Sequence, residues 1–134
     1  MLLEELIEGI EITVGVLGDE ALPVIEIIPP SDGEFDYENK YNGKTQELCP
    51  PEHVSASVQE AAQALALQAH QLTGCRDMSR TDMIVRADDS LQILETNTIP
   101  GMTAQSLLPK AAATAGISMQ QLVDQLVTAA LARR

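Results

Sequence analysis

From Glu11 to Ile28 apolar and polar residues alternate as Glu-Ile-Thr-Val-Gly-Val-Leu, break at Gly18-Asp19-Glu20, and resume as Leu-Pro-Val-Ile-Glu-Ile-Ile. A period of two interrupted by a turn cluster predicts a β-hairpin. Residues 29–52 form a polar, proline-rich stretch with little periodicity except near Gln46 to Cys49. A loop of that length inside a compact domain is functional or disordered. Between Ser55 and Thr73 the period becomes 3.6: Val58, Ala61, Ala62, Leu65, Ala69 and Leu72 mark one helix face, and Gly74 supplies the stop. Arg76 to Ala87 and Leu91 to Thr98 read as two strands joined by the turn Asp88-Asp89-Ser90. Two helices close the chain. The first runs from about Ser106 to Ala115, with Pro109 tolerated in its first turn. The second starts at the cap Ser118 and is expected to bury Leu122, Val123, Leu126, Val127 and Leu131. The expected architecture is α/β of the α+β kind, a mainly antiparallel sheet flanked by helices in one domain over residues 1–134.

Composition narrows the function classes. The 134 residues carry 8 Lys+Arg against 20 Asp+Glu, a formal charge of −12. Such an excess of carboxylate repels nucleic-acid phosphates and anionic membranes, and no basic stripe with interleaved aromatics offsets it. No apolar run reaches the roughly 18–20 residues that span a bilayer, and Met1-Leu2-Leu3-Glu4-Glu5 has no basic leader, so a cytoplasmic location is expected. The 45% apolar content supports a core, and with only Phe35, Tyr37 and Tyr41 aromatic that core must be aliphatic. Cys49 and Cys75 have no second cysteine nearby, which excludes a zinc knuckle or a CxxC redox motif. Gly43-Lys44-Thr45 imitates the end of a P-loop, but the required earlier glycine is Glu38. His53 and His70 have no spacing partner; His53 is read as leading into the long helix and His70 as lying on its surface.

The second hairpin carries candidate chemistry. With a short loop at residues 88–90, Asp82 is expected opposite Thr96 or Asn97, and in the second register Asp82 and Asn97 share a face. By the period of two, Arg80 and Glu95 join them there, as do Ile84 and Ile93. Asp, Glu and Asn are hard oxygen donors, suited to Mg²⁺ or Mn²⁺ rather than zinc or copper. A chain at −12 needs such cations to hold a nucleotide triphosphate. The other reading of the same residues is a solvated sheet face with Arg80 as a salt-bridge partner. Directly afterwards, Thr98-Ile99-Pro100-Gly101-Met102-Thr103-Ala104-Gln105-Ser106-Leu107 is a tight loop feeding a helix N-terminus. It reads either as a cradle for a carboxylate or phosphate, with close approach at Gly101, or as a plain turn with Ser106 as helix cap.

The run Met78-Ser-Arg80-Thr-Asp82-Met-Ile-Val, then Leu94-Glu95-Thr-Asn97-Thr-Ile-Pro-Gly101-Met-Thr-Ala-Gln-Ser106-Leu107, closely resembles the D-alanine–D-alanine ligases of the ATP-grasp superfamily. The similarity extends upstream through Glu34-Phe35-Asp36-Tyr37-Glu38-Asn39-Lys40-Tyr41, which looks like the family's active-site loop. It reaches Glu4-Glu5-Leu6-Ile7-Glu8-Gly9-Ile10-Glu11, which looks like its adenine- and ribose-binding segment. The acid–amide metal triad marks only the superfamily, whereas Asn-Thr-x-Pro-Gly-Met-Thr-x-x-Ser-Leu is specific to the ligase.

The resemblance implies ATP- and magnesium-dependent synthesis of D-alanyl-D-alanine through a D-alanyl phosphate, for peptidoglycan precursors. Asp82 and Asn97 would each hold one of two Mg²⁺ ions, Mn²⁺ being an alternative, and Glu95 would bridge both. Arg80 and the Gly101 amide would stabilise an oxyanion. Ser106 and Leu107 would receive the carboxylate of the second D-alanine. Lys40 would meet the phosphates and Tyr41 would help close the loop; Tyr41 also favours dipeptide synthesis over D-alanyl-D-lactate. Glu11 would bond the ribose, and Glu4, Glu5, Leu6 and Ile7 would surround adenine. The resemblance covers only the last of three parts of such a ligase. The chain is therefore expected to be its C-terminal lobe, lacking the N-terminal and central domains and inactive alone; the family's dimer uses parts mostly absent here. A stand-alone magnesium-nucleotide or interaction module, and a carboxylate–amine ligase with another substrate, are the rival readings.

Overall fold

The fold is known from a computed structural model that describes residues 1, 3–30 and 45–133. Its elements in chain order are β1 (Ile10–Leu17), β2 (Glu20–Ala21), β3 (Ile25–Ile28), β4 (Gln46–Leu48), α1 (Ala56–Leu72), β5 (Met78–Val85), β6 (Leu91–Asn97), α2 (Leu107–Thr114) and α3 (Met119–Ala132). Among the described residues all strand pairings are antiparallel, in the order β4-β3-β1-β5-β6 with β2 pairing β1. The expected α+β architecture is therefore present. The first hairpin turns at Gly18, where φ is +60°, and its return strand is interrupted between β2 and β3. There the Leu22 amide bonds back to the Gly15 carbonyl at 2.8 Å. No helix among the described residues is long and apolar enough to cross a membrane.

The two faces of the sheet have different covers. Ile12, Val14 and Val16 of β1 and Met83 and Val85 of β5 pack with Val54, Val58, Ala62 and Ala66 under α1. On the other face Leu17, Leu22 and Ile25 pack with Leu108, Ala111 and Ala112 of α2 and Leu122 of α3. The approach of α2 depends on a missing side chain. A Cβ on Gly15 would lie 2.5 Å from Leu108 Cδ1 and 3.1 Å from Leu22 Cδ1, so glycine lets the helix sit against the strand.

Helix boundaries follow the expected signals. Ser55 caps α1 through Val58 N, and Gly74 takes φ +68° beyond its end. Ser118 and Gln121 form a reciprocal capping box on α3. The buried faces differ from expectation. Along α1 the buried seam is Val58, Ala62, Ala66 and His70, whereas Ala61 is exposed and Leu72 is 81% exposed. His70 is thus not a surface residue: Nδ1 lies 2.7 Å from the Ser79 hydroxyl on β5, and this buried partner makes its burial tolerable. On α3, Leu122 is buried and Leu126 partly so, but Val123, Val127 and Leu131 are 43%, 51% and 55% exposed. The helix packs against α2 along one narrow seam, so its broader apolar stripe faces outward.

Candidate functional site

The open part of the sheet's second face, beside α2, is where the candidate residues collect. The expected register of the second hairpin is corrected by the pairing: Asp82 lies opposite Glu95 and Arg80 opposite Asn97. The cause is an irregularity between Asp82 and Met83. Nearer the turn Met83 pairs Ile93, so Leu94 is an extra residue in β6, the signature of a β-bulge. Without it, regular alternation from Ile93 would direct Glu95 and Asn97 toward α1. With it, both share the face of Arg80 and Asp82. Ile93 accordingly packs into the α1 core rather than on the candidate face. Ile84 keeps its expected parity and is buried.

β1 supplies the floor. Glu11, Thr13 and Gly15 pair with Ile84, Asp82 and Arg80 respectively. The Arg80 guanidinium grips Asp82 in a fork, Nε to Oδ1 at 2.9 Å and Nη2 to Oδ2 at 2.7 Å, with both side chains under a fifth exposed. This geometry is the strong form of an ion pair. The Asp82 carboxylate holds Arg80 above the ordinary arginine pKa; burial opposes this, and Glu95 and Glu11 add to the upward shift. The buried Thr13 hydroxyl donates to Asp82 Oδ1 at 2.5 Å. Sequence reasoning left Thr13 out, although the polar alternation of Glu11 and Thr13 on one side of β1 was its signal.

The loop after β6 brings the second group of residues to the same place. Asn97 Oδ1 accepts the Ile99 amide at 3.0 Å and keeps its second lone pair. Ser106 occupies the N-cap position of α2, yet its side chain makes no cap bond. Instead its Oγ accepts the Thr103 amide at 3.1 Å and lies 2.9 Å from the Thr103 hydroxyl. The simple capping role is thus replaced by a turn closed on Ser106, leaving the first-turn amides of α2 without that side-chain partner. A Cβ on Gly101 would stand 2.7 Å from Ser106 Oγ, so the loop passes its serine at glycine distance. Because Leu108 packs on Gly15, directly opposite Arg80, the first turn of α2 stands beside the Arg80–Asp82 pair. Further along, Lys110 of α2 pairs with Glu47 of β4, a link that sequence spacing gave no means of finding.

Arg80, Asp82, Glu95, Asn97, Gly101, Ser106, Leu107 and Glu11 thus belong to one face and its adjoining helix end. Glu4, Glu5 and Leu6 are exposed and Ile7 is half-buried, all in the non-regular segment before β1. Lys40 and Tyr41, with the rest of the expected active-site loop, lie outside the described residues. No cluster of three His, Cys, Asp or Glu side chains is gathered among the described residues. The donor set here is two carboxylates and an amide oxygen, hard ligands that fit Mg²⁺ or Mn²⁺.

Comparison with known proteins identifies the family. The chain is 53% identical to the D-alanine–D-alanine ligase of Syntrophobacter fumaroxidans over 97% of its own length and 43% of that protein's. It is 49% identical to the ligase of Oleidesulfovibrio alaskensis over 98% and 42%. Among solved structures, the D-alanine–D-alanine ligase of Bacillus anthracis complexed with ATP superposes with a TM-score of 0.79 at 31% identity, covering 96% of this chain and 40% of that one. The VanG D-Ala:D-Ser ligase of Enterococcus faecalis gives 0.75 at 32% identity, covering 92% and 37%. The chain therefore spans about two-fifths of the length of the relatives it matches. The family model described as D-ala D-ala ligase C-terminus matches residues 1–128, and on that match the chain belongs to the D-alanine–D-alanine ligase C-terminal family.

Proposed function

We propose that residues 1–134 form the C-terminal lobe of an ATP-dependent D-alanine–D-alanine ligase and supply one wall of its active site. The observation that supports this reading is that Arg80, Asp82, Glu95 and Asn97 share one sheet face, while Leu108 in the first turn of α2 packs on Gly15, the β1 partner of Arg80, with Ser106 and Leu107 at that helix end and Gly101 in the loop leading to it. The sheet residues suit a phosphoryl group with its cations, and the helix end suits a carboxylate.

In the proposed reaction the carboxylate of one D-alanine takes the γ-phosphoryl group of ATP, forming an acyl phosphate and ADP. The amine of a second D-alanine then attacks the acyl carbon, and phosphate leaves. Asp82, Glu95 and Asn97 would hold two Mg²⁺ ions, which offset the charge of the transferring phosphoryl group. Arg80 and the Gly101 amide would stabilise the oxygen that gains charge during amine attack. Ser106 and the Leu107 amide receive the carboxylate of the acceptor, where the helix N-terminus favours an anion. Glu11 bonds the ribose, the segment around Glu4, Glu5 and Ile7 borders adenine, Lys40 meets the phosphates, and Tyr41 helps close the loop. Tyr41 favours an amine acceptor, and so a dipeptide, over D-lactate, and the similarity to a D-Ala:D-Ser ligase makes D-serine the acceptor to test against D-alanine.

The activity requires the N-terminal and central portions, which fix the first amino acid and cover the nucleotide. Phosphate release from ATP with D-alanine tests this, measured for the chain alone and after mixing with the N-terminal portion of a close relative. The expected result is no turnover alone and D-alanine-dependent turnover in the mixture. Robust turnover by the lone chain overturns the fragment reading. An inactive mixture of two folded pieces favours a non-catalytic module.

A further inference from the structure

The hydrogen bonds to Asp82 are unequal at its two oxygens. A carboxylate offers about four lone-pair positions, two on each oxygen. Oδ1 takes two donors, Thr13 Oγ1 at 2.5 Å and Arg80 Nε at 2.9 Å. Oδ2 takes one among the described residues, Arg80 Nη2 at 2.7 Å. Arginine alone would load both oxygens equally, so the asymmetry comes from Thr13. Its hydroxyl has a single proton and two acceptors within reach, Asp82 Oδ1 at 2.5 Å and the Thr81 carbonyl at 3.3 Å. The shorter, charged partner takes the proton. Thr13 is 1% exposed and lies on β1, directly paired with Asp82. The backbone pairing thus holds the two residues side by side, and burial leaves the Thr13 hydroxyl no water to turn to.

We infer that Thr13 is a positioning residue for the cation site. By filling Oδ1 it makes Oδ2 the oxygen that Asp82 presents to a divalent cation, and with the Arg80 fork it holds the carboxylate in place before the cation arrives. The inference rests on the proposal above that Asp82 is a cation ligand. Outer partners of a metal-binding side chain hold it in one orientation, and their loss typically lowers metal affinity about 10–100-fold. Without Thr13 the Arg80 fork would still hold the carboxylate, but each oxygen would keep one open lone pair and either could meet the cation.

The test uses the full chain, labelled with ¹³C, and Mn²⁺ alone as the probe. Paramagnetic broadening of the Asp82 side-chain carbon locates the ion, and water proton relaxation gives the affinity. Wild-type protein is expected to broaden at Asp82. Thr13→Val, which keeps the shape and removes the donor, is expected to bind Mn²⁺ about tenfold more weakly, and Thr13→Ser is expected to restore the wild-type affinity. Equal affinity in the valine and wild-type proteins, with Asp82 broadened in both, overturns the role of Thr13. No broadening at Asp82 in wild type overturns the cation site itself. A readout on the wild-type protein covers the case in which the valine variant does not fold. The Thr13 hydroxyl proton is expected to exchange slowly enough to be seen by NMR, and exchange as fast as that of a surface threonine overturns the inference.

Discussion

Glu26 sits 2% exposed on β3, facing α1, yet carries an ionisable carboxylate. Burial alone would raise its pKa. The His53 amide at 3.0 Å, the His53 ring at 2.7 Å and the Glu52 amide at 2.9 Å outweigh that and hold it below the ordinary glutamate value. Because the native pKa is depressed, the contribution to stability is fully present above the unfolded value of about 4.3 and is lost as the pH falls through the native one. Glu26→Gln should therefore flatten the acid arm of a stability-against-pH curve from urea melts. At neutral pH it should cost about 1–3 kcal/mol, since a buried acceptor shared by two amides and a ring is weakened. At the candidate face the sharpest single change is Glu95→Gln in a complete ligase of this family. The proposed bridging role predicts a loss of about 100-fold or more in magnesium-dependent turnover, roughly 2.7 kcal/mol of barrier, and near-normal rates would contradict it.

The α3 helix gives a comparative prediction at the scale of elements. Leu122 is buried and Val127 is half exposed although both are apolar residues of one helix. Leu122→Ala should cost about 2–5 kcal/mol. Val127→Ala should stay within about 0.5 kcal/mol, both read from urea midpoints. Sequence periodicity treated the two alike because it reports which positions are apolar, not how much neighbouring surface exists to cover them. The same limit applies to α1, whose ends were legible from Ser55 and Gly74 while its face was not. Alanine is the commonest residue in that helix, so a 3.6-residue period fits more than one seam. The seam actually buried ends on His70, whose partner Ser79 lies beyond the following turn. In the second hairpin the four candidate residues were assigned to one face correctly but through the wrong register. Beyond Leu94 the alternation of Glu95 and Asn97 is intact, so their shared parity was readable. The bulge that sets their opposite numbers has no composition cue of its own.

For the molecule as a whole, the −12 charge and the unevenly covered sheet belong to the same account. One face is sealed by α1. The other is sealed only where α2 and α3 reach, and the uncovered remainder carries Glu11, Asp82 and Glu95. Magnesium should therefore stabilise the chain beyond what sodium does at matched ionic strength, since screening acts on all charges and coordination only on a few. At ten times its dissociation constant the extra stabilisation should be about 1.4 kcal/mol, visible as a raised thermal midpoint. Equal effects of the two salts would mean that the acidic face is only solvated surface.

Thr13, which meets Asp82 from the neighbouring strand, belongs to β1, which is flanked by β3 and β5 and buried from Ile12 to Leu17. Deuterium should consequently enter the Ile12 to Val16 amides last, in the regime of global unfolding, and the residues ahead of β1 and the 98–106 loop first. The chain would then brace the Arg80–Asp82 pair against its slowest-opening strand and leave the 98–106 loop on a faster clock. A rim that opens often would then border a charged floor that keeps its shape.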